Sequence, residues 1–573
     1  MIEILGTVLL FFGCVIGLAW PLAAKLALDP GEKLVATVVL SLVGSWLIGW
    51  VVYVMALPAL LLWTVPTLAT LNLALSYRSL GRTLRSPIGT EMAVAHSLVT
   101  ATSIGWLALI VSYSGGDWIG DWFGHWDRAR FFLERWPRDI LFTGFDPLTS
   151  RPPLANVVTG VFLRVSRLDF AHYQIVTTLL NALAFLPAAL LVRRFHPAPE
   201  KTDAPDRIRA VRLLAVLFMV NSLFVQNSTY AWTKLMAAFF VLAAVYFFLR
   251  AHDPDAPPSA GLLCATCLAA GTLTHYSTGP FVVVLVIAWL AMGAGRWREK
   301  RWRNETLVAA ATGAVLLATW FGWAVAVFGW QRTLFSNPSV TDGAPTVAEH
   351  LWRAGLNIRD TLVPHFLRSV DFSPFSQRST WGTWRDWSFL VYQRNLFIAI
   401  GSVAWIAILV TIWRLWHGAA TRARWFWLSL IVGTVALGVA AHGPRDPWGN
   451  THIGEQPVVL IGVALLAAHW SRLTPPWRRF LIAGAACDFV VGLALHFGVQ
   501  SYLLDRWLSP GRSAEDIFTS YSKFAAFNLH WKSRIKADFF SDILPAHPAL
   551  VIALLGALLF LAFYRTTEVK NSP

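Results

Sequence analysis

Residues 172–192 read HYQIVTTLLNALAFLPAALLV, carry no Asp, Glu, Lys or Arg, and are closed by Arg193-Arg194. About 20 such residues in a helix cross the hydrocarbon core of a bilayer. A basic pair at the end of the run marks the side that stays in the cytoplasm. Comparable apolar runs lie near 4–20, 34–57, 58–77, 93–113, 210–226, 231–249, 261–275, 277–293, 306–330, 395–413, 425–441, 456–470, 480–499 and 547–564. The pattern predicts an all-α polytopic membrane protein of about fifteen transmembrane helices. Composition agrees: the 573 residues are 56% apolar and 14% charged, against roughly 25% charged in a soluble domain. Soluble, disordered, fibrous and disulfide-scaffold classes are excluded.

The short connectors divide into two kinds. Arg78, Arg82 and Arg85, then Arg193 to Arg212, Arg296 to Arg303, Arg414 to Arg424 and Arg472 to Arg479 all fall on one side when fifteen spans are threaded. That side and the C-terminal tail hold 25 Lys or Arg against 11 Asp or Glu, while everything else holds 22 against 21. The net charge of +15 therefore reflects topology, and a nucleic-acid partner is not implied. Threading places the protein in the plasma (inner) membrane with its N-terminus outside and its C-terminus cytoplasmic. Met1-Ile2-Glu3 lacks a basic stretch, so the first run is expected to stay uncleaved.

Three stretches are too long and polar to be simple connectors, and all three face outward: 114–171, 331–393 and 500–546. The expected organisation is an N-terminal group of helices at 1–92, a core at 93–330 containing the first outer loop, the outer loop 331–393, helices at 394–499, the outer loop 500–546, and a final helix with its tail at 547–573. The second and third outer loops hold 12 basic and 10 acidic residues together, the balance of folded lids.

The first outer loop carries the chemistry. It begins GGDWIGDWFGHWD at Gly115 and places Asp117, Asp121 and Asp127 within eleven residues, with His125 among them. A carboxylate at a membrane rim can take a proton from a hydroxyl; the same aspartates could instead cap a helix or pair with Arg128 or Arg130. Asp117, Asp121 and His125 could also reach one divalent cation. Downstream, Arg151-Pro152-Pro153-Leu154 gives an extended entry to a segment read as an interfacial helix through Leu168. An outward Asp near the end of an early helix, an aromatic-rich helix and Arg-Pro-Pro-Leu about thirty residues on resemble the GT-C glycosyltransferases. Relatives include the protein O-mannosyltransferases, the lipid A aminoarabinose transferases and the family called RgtA/B/C/D-like. The resemblance covers 117–154 as motif and the rest as architecture. It implies a polyprenyl-phosphate sugar donor, a lipid, glycan or protein acceptor on the outer face, and an aspartate base. By spacing the base is Asp121, with Asp117 as the alternative. His125 stands where the family often has Tyr, Trp122 replaces an acidic residue usual there, and the loop follows the fourth helix where the family's follows the first.

A phosphate leaving group needs cations or donors beside it. Candidates on the outer side are Arg151; Lys234, in Tyr230-Ala231-Trp232-Thr233-Lys234; His275-Tyr276, at the end of the eighth span; and Arg445 and His452, in the turn-rich connector 442–452. Lys234 could equally snorkel to the rim, and Arg445 could pair with Asp446. Asp488, inside the fourteenth span, is either a structural partner or part of a lipid or acceptor channel. Cys264 and Cys267 form a CxxC with no second ligand pair and read as buried side chains. Many of the 30 Trp read as an interfacial belt, among them Trp106, Trp320, Trp323, Trp330 and Trp413; Trp381, Trp384 and Trp387 could stack on sugars.

The leading expectation is a membrane glycosyltransferase. The alternatives are a polysaccharide polymerase or ligase acting on lipid-linked sugars, a transporter or lipid flippase, and a non-catalytic assembly subunit. Ionisable residues crowd the outer loops and are nearly absent from the spans, which favours chemistry at the membrane surface over transport.

Overall fold

The computed structural model describes residues 2–110, 119–142, 146–197, 205–336, 346–363, 391–392, 395–418, 421–441, 452–498, 539–543 and 547–567. Within them the backbone is helical apart from turns and one two-residue strand pair. The N-terminal helices are α1 (Ile2–Gly17), α2 (Trp20–Lys25), α3 (Pro30–Val54), α4 (Thr64–Leu84) and α5 (Pro87–Leu109). The first outer loop supplies α6 (Ile119–Glu134), strands β1 (Leu141–Phe142) and β2 (Asp146–Pro147), and α7 (Leu154–Val165). There follow α8 (Phe170–Ala182), α9 (Phe185–Phe195), α10 (Pro205–Val220), α11 (Ser222–Thr229), α12 (Lys234–Ala251), α13 (Ser259–Thr274), α14 (Gly279–Gly293) and α15 (Lys300–Leu334). The later helices are α16 (Val347–Leu362), α17 (Leu396–Ile400), α18 (Ala404–Gly418), α19 (Thr421–Leu428), α20 (Thr434–Ala441), α21 (His452–His469), α22 (Pro475–Gly492), α23 (Phe540–Ile543) and α24 (Pro548–Thr567).

Local chemistry sets the helix starts. Ser86 caps α5, its Oγ accepting from the Gly89 amide at 3.1 Å, with Pro87 in the first turn, where a missing N–H costs nothing. Asp169 caps α8 through the His172 amide at 2.8 Å. The middle of the bundle is α8, α9 and α12, buried almost throughout. Around them α12 packs on α13, α9 and α21, while α10 packs on α5, α24 and α21.

Ion pairs gather at one end of this bundle. Glu32 at the start of α3 meets Arg250 at the end of α12, 3.2 Å away. Arg194, in the last turn of α9, pairs with Asp253 at 2.5 Å. Glu91 at the start of α5 holds both Arg212 of α10, at 2.9 Å, and Arg565 of α24, at 3.1 Å. At the opposite end Glu3 meets Arg167 at 2.9 Å, and the Thr149 and Ser336 hydroxyls meet at 2.8 Å. Each contact joins residues that the charge threading assigns to one and the same side. The arginine-rich end and the loop-bearing end are thus distinct.

Among the described residues ten helices are long and apolar enough to cross a membrane. Pro205–Val220 and Ser222–Thr229, bent by 68°, make an eleventh if counted as one broken span. Four shorter apolar helices, including α7 and α13, occupy other stretches. The structure therefore does not fix the expected count of fifteen. At the break, the Asn221 side chain accepts from the Phe224 amide at 2.8 Å and donates to the carbonyls of Ala399 and Ile400 at 2.9 and 3.1 Å. Amide side chains thus satisfy backbone groups that lipid could not.

Two readings change. The segment after Arg-Pro-Pro-Leu is no interfacial helix: every residue of α7 except the exposed Arg164 is buried, against α3, α6 and α13. Trp106 and Trp320 are core residues, each 1% exposed, and Trp320 joins Trp50 and Trp323 in an aromatic cluster. Trp330 and Trp413 are exposed, as a belt requires. Cys264 and Cys267 are free and buried. Trp381, Trp384 and Trp387 lie outside the described residues.

Candidate active site

The first outer loop folds back on itself through a small polar clamp. β1 and β2 pair antiparallel, Phe142 opposite Asp146. The Asp146 carboxylate is buried between Arg128 of α6 and Arg151, each 3.7 Å away. Arg128 also donates to the Ser150 hydroxyl at 3.0 Å and lies over the Phe142 ring, 4.4 Å from its centre. Pro152 disfavours the helical region for the residue before it, and Arg151 is accordingly extended, with φ −138° and ψ 132°. Chain direction and the Asp146 charge together aim the Arg151 guanidinium. On α6, His125 is 3% exposed, and its Nδ1 lies 3.0 Å from Oδ1 of Asn156 on α7.

The second contribution comes from the α11–α12 connector. The buried Asn181 side chain of α8 donates to the carbonyls of Asn227 and Trp232, at 3.0 and 3.1 Å. This fixes the chain just before Lys234, the first residue of α12. Lys234 is 4% exposed, with Nζ 3.7 Å from the centre of the Trp232 ring. Its ammonium does not snorkel to water; it is held inward over an aromatic face.

The third contribution is the connector after α13. His275 is extended and buried, stacked on Tyr276 with ring centres 4.2 Å apart. Its Nδ1 accepts from the Ser277 amide at 3.1 Å, so in the neutral ring the proton sits on Nε2, which is left as a donor. Burial holds the imidazole well below the ordinary histidine range, and the charges of Arg151, Lys234 and His125 press in the same direction. His275 is thus a neutral hydrogen-bond donor beside fixed positive charge.

Of the expected residues, His125, Arg151 and Lys234, from three separate stretches, thus lie near enough to act electrostatically on His275, and Tyr276 stacks on it. Asp121 lies on α6, one turn before His125; its side chain is outside the described residues, as is that of His452, the first residue of α21. Asp117 and Arg445 lie outside them altogether. Among the described residues no group of three or more His, Cys, Asp or Glu could hold a metal ion. The cation site suggested for Asp117, Asp121 and His125 falls largely beyond them.

Sequence reading missed Asp146, Arg128, Asn156 and Asn181. The two asparagines had a signal, since an amide in an apolar helix needs a partner. Asp488 accepts at Oδ2 from the Ser402 amide at 2.9 Å, beside Gly401, whose φ of +133° strains any other residue and where a Cβ would stand 3.0 Å from that oxygen. It caps a chain break and so has a structural partner. Asp488, Asn221 and Ser222 border a cavity of about 30 Å³.

No family model and no curated protein matches the chain. In structure it is similar to ArnT from Cupriavidus metallidurans bound to undecaprenyl phosphate, at 13% identity over 81% of this chain and 75% of that one, with a TM-score of 0.44. The same protein in the apo state matches at 14% identity over 81% and 74%, with a TM-score of 0.45. The archaeal oligosaccharyltransferase AglB from Archaeoglobus fulgidus, in complex with an inhibitory peptide and a dolichol-phosphate, matches at 16% identity over 74% and 57%, with a TM-score of 0.37.

Proposed function

We propose that the chain is a membrane glycosyltransferase of the GT-C type. It moves a sugar from a polyprenyl-phosphate donor to an acceptor hydroxyl at the loop-bearing end, which faces outward. The carrying observation is the gathering of Arg151, Lys234 and His125 around the buried His275. A desolvated group of cations with a neutral donor suits a phosphate that gains charge as it leaves. Residues four apart on a helix are surface neighbours, so α6 brings Asp121 to the side of His125. In the reaction the acceptor oxygen attacks the anomeric carbon and its proton passes to Asp121. The bond between that carbon and the phosphate oxygen breaks, and the polyprenyl phosphate departs against Lys234, Arg151 and Nε2–H of His275. Asp117 is the alternative base; Arg445 and His452 would add phosphate contacts from the connector 442–452.

The transporter alternative draws on the broken span at Asn221 with Asp488 beside it. The cavity there, about 30 Å³, has room for water and not for a sugar.

The test separates binding from chemistry. Purified protein is titrated with undecaprenyl phosphate, and turnover is read as release of that carrier from a panel of undecaprenyl-phosphate sugars. Lys234→Met and Arg151→Met should weaken carrier binding about tenfold or more. Asp121→Asn should leave binding intact and slow turnover by about 10²- to 10⁴-fold. Full turnover in both Asp121→Asn and Asp117→Asn, or binding indifferent to Lys234 and Arg151, would overturn the proposal.

A further inference from the structure

At the arginine-rich end, far from the cluster just described, a cavity of about 260 Å³ opens between the first turns of α10 and α22 and the last turns of α21 and α24. Its wall is apolar, with Leu213, Ala467, Ala468, Ile482 and Phe563. Its rim is polar and mainly basic: Arg209, Arg478 and His196, with Asp206 the acid among the lining residues. Arg478 stands in the first turn of the candidate span Pro475–Gly498, and Thr566, also on the rim, closes the span Pro548–Thr566. The cavity therefore sits at headgroup depth. Ile482 and Phe563 are 43% and 38% exposed and so turn an apolar side outward, where lipid would lie.

Two observations point to a bound anion. Nε of Arg209 and Nε of Arg478 are both buried from water with no hydrogen-bond partner among the described residues, and a buried donor left unmade is costly. The other contacts of the two guanidiniums among the described residues are modest: Arg209 reaches Asp206 at 3.5 Å, and Arg478 donates to the Ser471 carbonyl at 2.7 Å. In addition, burial and then the charges of Arg207 and Arg472 lower the His196 imidazole below its ordinary range, with Asp206 opposing. The local field is positive and under-compensated.

We propose that this cavity binds an anionic phospholipid, its phosphate between Arg209 and Arg478 and its upper acyl carbons against Leu213, Ile482 and Phe563. The apolar wall, open toward the lipid side, selects a membrane lipid over free phosphate. Such a lipid would pin α10, α22 and α24 together at the membrane surface.

Delipidated full-length protein in a neutral detergent is titrated with phosphatidylglycerol or phosphatidylcholine and read by native mass spectrometry. One phosphatidylglycerol should be retained per chain, preferred at least about tenfold over phosphatidylcholine. Arg209→Gln combined with Arg478→Gln should abolish the preference. Ile482→Trp should weaken binding with both arginines in place. Asp206→Asn should strengthen it about twofold to threefold, a gain that misfolding cannot produce. An undiminished preference in the double variant, or no gain with Asp206→Asn, would overturn the proposal. So would displacement of the lipid by excess inorganic phosphate, which would make this a site for free phosphate.

Discussion

Replacing Asp146 by Asn keeps its shape and removes its charge. The carboxylate is 8% exposed, and the side chains of Arg128 and Arg151 are 3% and 16% exposed, each 3.7 Å from it. At that separation each pair attracts by about 4 kcal/mol at an effective dielectric of 20, most of it offset by desolvation of the charges. Once the acid is gone the two guanidiniums lose its charge, and removing one partner of a buried ion pair costs about 3–5 kcal/mol. Arg128 keeps Ser150 at 3.0 Å, so the low end, about 3 kcal/mol, applies. Thermal unfolding at fixed scan rate should show a clear drop in the midpoint. Carrier binding should weaken about tenfold, because Arg151 loses the charge that aims it. Combining Arg128→Met with Asp146→Leu should recover stability and leave binding impaired. If Asp146→Asn unfolded and bound carrier as the wild type does, the clamp would have no role in building the site.

Lys234→Arg should fail to restore the carrier affinity lost in Lys234→Met, since Lys234 is almost fully buried and the longer, bulkier guanidinium would overfill the space in which the ammonium sits 3.7 Å from the centre of the Trp232 ring; equal titrations would contradict this. His275 is held neutral in the fold and protonates freely only when unfolded. The unfolded state therefore binds the extra proton, and stability falls as pH drops below about 6.5. Melting midpoints from about pH 8 to about pH 5 should fall less steeply in His275→Gln than in the wild type. A Cβ on Gly49 would stand 2.7 Å from Val157 and 2.9 Å from Val161. Gly49→Ala should therefore push α7 off α3 at a cost of about 1–3 kcal/mol and reduce turnover, because α7 carries the Asn156 that orients His125; unchanged turnover would refute that link.

Much of this was legible in advance, for identifiable reasons. Apolar runs bounded by arginines report helices, because lipid penalises misplaced charge so heavily. The same penalty made Lys234, Arg151 and His275 conspicuous, and they converge. The Asp146 clamp was not legible, because an Asp and two Arg within one loop look like ordinary surface charge until the chain folds over them. α7 was misread because its apolar face, taken alone, suits a membrane surface as well as an interior; only its contacts with α3 and α13 decide. The break at Asn221 was hidden inside an apolar run with no proline to mark it. Its cause is a distant partner, the carbonyls of Ala399 and Ile400.

Glu91 joins α5 to both α10 and α24, the last partner lying 474 residues further along the chain. During synthesis Arg212 leaves the ribosome long before Arg565 does. Throughout that interval the insertion machinery holds an acid only half answered. Closure of this end therefore waits for the final described helix, and a nascent chain stalled before α24 carries Glu91 with one of its two arginines still to come.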